Sequence, residues 1–340
     1  MAQNQDQAAQ RGVNPANTLG LDYHAEAETF GYRGPILDVH THIGTVASSE
    51  VYFEAAERYG VVKAWSMTNR MDQVDALAER WGEKIAFIAV PNYEERDKPE
   101  TFTSEWLKRI EQFAERGCAI CKIWAAPRGL DLAEHFWIDD PIRFEAMDLA
   151  VSLGMKLMSH VGDPDTWFAT RYAHGDKYGT KREHFDRFRR VLDRYGEVPW
   201  LGAHMGGTPE DLEVLQGFMD DYPNYVVDTS ATKWMVRELS QHPGAFADFC
   251  RRNPGRVLFG TDIVTNDENI DYDLYASRFW ALKTLMETDY DGPSPIVDPD
   301  LSMVDPSLPA DSTAVLRGAG FDEPLLREVY YEAPAAFFGV

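Results

Sequence analysis

The chain is poor in cysteine and in positive charge, and it has no long apolar run. Only Cys118, Cys121 and Cys250 occur in 340 residues, too few for a disulfide framework and suited to a reducing compartment. Lys and Arg number 33 against 56 Asp and Glu, a net charge of −23 that opposes nucleic acid and anionic membranes as partners. No stretch of about 18 apolar residues offers a membrane span. The opening segment, MAQNQDQAAQRGVNPANTLG, lacks the basic and apolar blocks of a secretory signal. These absences predict a cytoplasmic protein with neither membrane nor nucleic acid as partner. Also missing is a glycine-rich phosphate loop after the first strand-like run, which weighs against a doubly wound nucleotide-binding sheet.

What is present is a regular alternation. Residues 1–33, rich in Gln, Ala and Asn with little periodicity, are predicted as an N-terminal arm that is disordered or drapes over the body. From Ile36 eight short β-type runs follow: ILDVHTHI (36–43), VVKAWSMT (61–68), IAFIAV (85–90), AICKIWA (119–125), KLMSHV (156–161), VPWLGAHM (198–205), YVVDTSA (225–231) and VLFGTD (257–262). Between them lie amphipathic helical stretches, several opening on Ser, Thr or Asp and closing on Gly. Strand and helix alternating in this way, with nearly continuous apolar strands, predict an α/β fold, a closed (β/α)8 TIM barrel in one domain over residues 34–340. The Pro- and Asp-rich stretch 289–313 reads as an inserted loop before the last helix.

The functional signal sits at the C-terminal ends of the strands, where barrel enzymes keep their chemistry. His40 and His42 share one face of the first strand, being two residues apart. The fifth strand ends on His160, the sixth on His204 and the eighth on Asp262. Neither core packing nor solvation requires imidazoles and a carboxylate at these places. Such a set around one point suits a borderline divalent metal with an open position for water, zinc foremost. A carboxylate beside that water can take its proton. Cys118 and Cys121 overlap the fourth strand, but residues three apart face opposite ways there, which argues against a zinc or redox pair.

As a set, HTH, KLMSH, AHMGG and GTD, in order and spacing from Ile36 to Val340, resemble the amidohydrolase superfamily. The likeness is to the amidohydrolase-related group that includes aminocarboxymuconate semialdehyde decarboxylase and 2-pyrone-4,6-dicarboxylate lactonase. The resemblance implies one divalent ion, expected to be zinc, held by His40, His42, His160 and Asp262. It implies catalytic roles for His204, as an acid/base or polarising residue, and for Asp262. The N-terminal arm matches nothing in that family, and Ala333 stands in the last helix where relatives commonly have Asn. In other branches a carbamylated lysine on the fourth strand bridges two metals; this group often carries lysine there without that role, so Lys122 is expected to bridge nothing. After His204, Met205 and the glycines 206 and 207 are expected to turn the chain sharply into a helix capped at Thr208.

The segments after the strands carry cations and large aromatics out of keeping with so acidic a chain. Arg70, Trp124, Arg128, Trp167, Arg171 and Lys233 are the candidate substrate-binding residues, with His174, Lys177, Tyr178, Trp234 and Arg237 nearby in sequence. Together they predict a small anionic substrate, carboxylated and either unsaturated or aromatic. The competing reading pairs these cations with surface carboxylates such as Asp163 and Asp165. The segment Gly162 to Glu183 has the length of a lid.

Three functions fit. The first is hydrolysis of a lactone, ester or amide by metal-activated water, with Asp262 taking the proton and His204 serving the oxyanion or leaving group. The second is nonoxidative decarboxylation on the same constellation. The third, a catalytically silent metal-binding protein, sits poorly with His204 standing beyond a complete ligand set. Related benzoate-type decarboxylases often have Glu-x-His in the first strand, so His-x-His leans toward hydrolysis or a muconate-type decarboxylase. Nothing in the sequence opposes a homo-oligomer.

Overall fold

The structure, a computed structural model, describes residues 14–340. Strand β1 (Ile36–Ile43) pairs in parallel with β2 (Val61–Ser66), and β2 with β3 (Ile85–Phe87). A second parallel run joins β4 (Ile120–Trp124), β5 (Lys156–His160), β6 (Trp200–Gly202), β7 (Tyr225–Asp228) and β8 (Val257–Leu258). Two seams close the ring. At one, the Lys122 N–H donates to the Ala89 carbonyl at 2.8 Å and the Ala89 N–H to the Ile120 carbonyl at 2.9 Å. At the other, the Val39 N–H donates to the Phe259 carbonyl at 3.0 Å and the Asp262 N–H to the His40 carbonyl at 2.8 Å. Strand β9 (Ile263–Thr265) then pairs in parallel with β1, so β8 and β9 are one barrel strand broken in the middle. The expected (β/α)8 barrel is the fold.

The third, sixth, seventh and eighth strands end earlier than their apolar runs suggested, because the chain leaves the ladder to build the rim. After β6, His204 and Met205 take left-handed backbone (φ 58 and 50), and Gly206 and Gly207 continue it (φ 65 and 79). This run uses up the residues expected to start a helix, so the next one, Leu212–Asp221, is capped by the Asp211 side chain accepting from the Val214 N–H, and not by Thr208. Thr45, Asp140 and Thr180 each accept from the first turn of the helix they open.

Residues 289–313, expected as an inserted loop, instead hold ordered structure. Strand β10 (Asp291–Val297) and strand β11 (Thr313–Arg317) form an antiparallel ribbon, with a short helix, Asp300–Val304, between them. Two prolines within β10 are tolerable because a two-stranded ribbon leaves each strand with an edge that needs no ladder donor. The described part of the arm covers that edge: the Thr18 N–H donates to the Pro295 carbonyl at 2.9 Å and the Val297 N–H to the Pro15 carbonyl at 2.8 Å. Residues 1–13 of the expected arm lie outside the described residues. No helix among the described residues is long and apolar enough to cross a membrane.

Strand β1 is buried at every position but His42, and it carries a carboxylate as well as its histidines. Buried Asp38 accepts from the Tyr52 hydroxyl at 2.9 Å, and from the Thr261 hydroxyl and N–H at 2.7 and 3.1 Å. It thereby ties β1 to the broken eighth strand and to the helix Val46–Arg58. Gly260 completes the junction, since a Cβ there would lie 2.9 Å from the His40 Cβ. Burial outweighs the hydrogen bonds and pushes the Asp38 carboxyl up to about 7. Its preference for the neutral form therefore adds stability that is complete below the ordinary carboxylate range, about pH 4, and is lost as pH rises through about 7. Asp38→Ala should lower the unfolding free energy by about 3 kcal/mol in urea denaturation, because several buried donors lose their acceptor. Asp38→Asn should cost less and flatten the fall in stability across that pH window; an unchanged slope would show that Asp38 does not titrate there.

Candidate metal centre

The barrel's C-terminal rim gathers His40, His42, His160, His204, Asp262 and Lys122 around one cavity of about 830 Å³. Two of them are set by strand geometry, since His40 and His42 lie two residues apart on β1. The others depend on where the strands break. Asp262 sits in the gap between β8 and β9 with φ 59, and its N–H holds the His40 carbonyl. His204 ends β6 in left-handed backbone, its N–H donating to Asp228 Oδ1 at 2.9 Å. Met205 and Ala231, after β6 and β7, are the only other non-glycine residues with positive φ among the described residues. Strained backbone thus gathers at the ends of the sixth, seventh and eighth strands, where side chains are being aimed.

The donor atoms converge. Asp262 Oδ1 lies 3.3 Å from His40 Nε2 and 3.2 Å from His42 Nε2. Donor atoms of His40, His204 and Asp262 all fall within 4.8 Å of one another. The His204 ring stands edge-on to His160, centroids 4.4 Å apart, and 4.9 Å from the His40 ring. His160 turns Nε2 toward buried Asp163 Oδ1 at 2.8 Å, which leaves Nδ1 as its remaining donor atom.

Asp228 and Ser230, unremarked in the sequence, orient this cluster. Asp228 Oδ2 lies 2.8 Å from His40 Nδ1, and the Ser230 hydroxyl reaches Asp228 Oδ1, His40 Nδ1 at 2.9 Å and His204 Nδ1 at 2.7 Å. The only hydrogen of the serine hydroxyl goes to the carboxylate, so the Nδ1 atoms of both rings donate. Both Nε2 atoms then carry the lone pair that a ligand or a base needs. A carboxylate behind a histidine in this manner is how protein metal sites fix a ligand's tautomer. The donor set fits a divalent ion.

Electrostatics agree. Burial opposes a charged His40 ring, but Asp228 and Asp262 outweigh it and raise the ring's pKa. Burial lowers His42, and burial with the neighbouring His160 lowers His204 well below the usual imidazole range. Against its burial, the neighbouring His40 and His42 rings hold Asp262 well below the usual carboxylate range. Burial brings the Lys122 ammonium down to about 8, opposed by Asp228 and Asp262.

The candidate substrate residues divide. Trp124, Arg128, Trp167, Arg171 and Lys233 line the cavity, joined by Tyr93, Trp234 and Arg278. Arg70 does not: it is exposed and held by Asp72, Nη2 to Oδ2 2.5 Å, at the start of its own helix. Lys177 and Tyr178 both bond Asp131, and Arg237 is buried against Glu238, Asp298 and Asp300. Asp163, considered as a surface partner for these cations, is instead buried between His160 and the Tyr172 hydroxyl. The segment 162–183 is not an open loop but carries short helices over Asp165–Ala169 and Gly175–Tyr178. Asp228 lay inside the run YVVDTSA, and that β7 stops at it appears only in the structure; Arg278, inside the helix Tyr272–Glu287, gave no signal.

Removing Asp228 deletes no donor to the cavity yet frees the His40 ring. Asp228→Ala should weaken metal affinity about 10–100-fold in competition with a chelator, and undiminished affinity would remove it from the centre. The wild type should hold one equivalent of metal per chain at pH 7, with or without added bicarbonate; a second equivalent that disappears in Lys122→Met would show a bridging lysine.

No curated protein sequence matches the chain. Its fold matches the crystal structure of 2,6-dihydroxybenzoate decarboxylase from Rhizobium at 11% identity, covering 90% of this chain and 99% of that one, with a TM-score of 0.52. It also matches 5-carboxyvanillate decarboxylase from Sphingomonas paucimobilis at 10% identity, covering 90% and 99%, with a TM-score of 0.50. At such identities the likeness is one of fold. The amidohydrolase sequence profile matches residues 22–340, nearly the whole length, and the chain belongs to the amidohydrolase family of metal-dependent enzymes.

Proposed function

We propose that this enzyme is a hydrolase of small planar carboxylated substrates, a lactone, ester or amide, with one divalent ion, zinc by its donor chemistry, on His40, His42, His160 and Asp262. The proposal takes residues 34–340 as one catalytic domain preceded by an arm, and its buried free thiols suit the cytoplasm. The observation that carries it is the position of Asp262. Its carboxylate stands beside two imidazole Nε2 atoms in a cavity whose lining includes three indoles and several cations. From there it can both help hold an ion and accept a proton from water. Such an ion, when bound, supplies Lewis acidity that polarises a carbonyl and acidifies water.

The remaining work falls to the chain's own side chains. Asp262 accepts the proton of the attacking water. His204, its Nδ1 engaged by Ser230, offers a lone pair at Nε2, from which it takes a proton and returns it to the leaving oxygen or nitrogen. Trp124, Trp167 and Trp234 provide flat apolar walls for a conjugated substrate, and Arg128 supplies charge for its carboxylate.

Nonoxidative decarboxylation is the second reading. The indole walls favour it, as do fold neighbours whose names specify dihydroxybenzoate and carboxyvanillate. There the bond from ring carbon to carboxylate breaks, carbon dioxide leaves, and the carbon takes a proton from an acid of the site. Metal-loaded protein offered lactones and carboxylated aromatics should open rings without releasing carbon dioxide; carbon dioxide release with intact rings would reverse the two readings. His204→Ala should keep most of its metal and lose turnover by roughly 10²–10⁴-fold, the range of a general acid/base. Metal lost in step with activity would instead place His204 among the ligands.

A further inference from the structure

Lys233 and Arg278 reach the cavity from different elements, the helix Thr232–Leu239 after β7 and the helix Tyr272–Glu287 after β9. Neither has a carboxylate partner among the described residues. The one side-chain bond of Arg278 goes to the adjacent Ser277 hydroxyl at 2.8 Å. Acids are at hand, since Asp298 and Asp300 line the same cavity, but they are taken. Asp298 Oδ2 accepts from Arg237 at 2.5 Å; Asp300 Oδ1 accepts from Arg171 at 3.1 Å and its Oδ2 from the Trp167 indole at 2.7 Å. Arg237 gathers both of these acids and Glu238 besides. The wall therefore gives one arginine three carboxylates and leaves two neighbouring cations with none.

Such an arrangement is not accidental solvation. Both side chains are partly buried, and the Lys233 ammonium is pulled down first by burial and then by repulsion from Arg278, against the weaker pull of Asp298 and Asp300 across the wall. Two like charges held at the edge of an apolar cavity are a local cost that a bound anion would remove. A guanidinium presents paired donors that match a carboxylate, and an ammonium adds a point charge.

We infer that Lys233 and Arg278 form a second anion subsite in this cavity, so that the substrate carries a carboxylate remote from the group presented to the histidine–aspartate cluster. The inference rests on the reading of this cavity as the substrate site. Pro15 and Ala16 of the arm and Val297 and Pro299 of the ribbon region contribute lining around the same space, and the water they exclude makes an ion contact there stronger.

The test compares affinities of paired acids for the metal-loaded, full-length protein by calorimetry: benzoate with isophthalate, and hexanoate with adipate. At least one diacid should bind about tenfold or more tightly than its monoacid, the scale of one charge-assisted contact. Arg278→Met and Lys233→Met should each collapse that ratio toward one, and Arg278→Lys should retain more of it than Arg278→Met; thermal melts confirm that each variant folds. Equal affinities within both pairs, or a ratio that survives in both methionine variants, would overturn the subsite. A protein that binds no metal yet keeps the ratio would refute the metal-dependent function and still support the subsite.

Discussion

The bond from the Asp262 N–H to the His40 carbonyl is where barrel closure and chemistry become one event. Together with the Val39–Phe259 bond it ties the broken eighth strand to β1, at the point where Asp262 stands 3.3 Å from His40 Nε2. The price is a non-glycine residue in left-handed backbone, at φ 59, a conformation that persists only where its surroundings over-determine it. Those surroundings are visible: Asp38 below, bonding the Thr261 N–H and hydroxyl, and Gly260 giving the room that a Cβ would take from His40.

Two buried carboxylates on the same strand framework do opposite electrical work. Asp38 faces only neutral donors, and burial leaves it close to half-protonated near neutrality. Asp228 faces imidazoles, and the charge of His40 holds it ionised against the same burial. The contrast follows from partner type, since desolvation raises both acids and only a nearby cation reverses it. Asp38 therefore serves closure of the barrel, while Asp228 serves orientation of two rings through one serine.

The parts of the site that could be read from sequence were those tied to strand periodicity. His40 and His42 share a face because residues two apart on a strand must, and His160 and Asp262 close apolar runs whose ends a barrel gathers at one rim. The fold was legible for the same reason. What escaped needed information that no local pattern holds. Thr208 looked like a helix cap, but the left-handed run beginning at His204 moved the helix start to Asp211. The Pro-rich segment looked like a loop because ladder pairing in a ribbon depends on its partner strand, and because the arm covering its edge comes from nearly 300 residues away in the chain. Arg70 and Arg278 exchanged places as candidates because whether a cation is already paired is decided by three-dimensional neighbours alone.

That last point separates charge used for structure from charge left for a ligand. Arg70 is neutralised by Asp72 two residues on, and Arg237 by three acids in the wall. The chain carries 56 acids against 33 Lys and Arg, and Lys233 and Arg278 stay without an ion pair among the described residues although Asp298 and Asp300 line the same cavity. Local pairing would be the cheaper arrangement for the folded state, since it removes charge repulsion with groups already covalently present. Where the fold instead builds acids into the same wall and commits them to other cations, the unpaired positive charge is balanced only when a substrate arrives. Binding then recovers electrostatic energy that folding left unrealised, and it does so only for a ligand whose anionic groups match the spacing between that charge and the histidine–aspartate cluster.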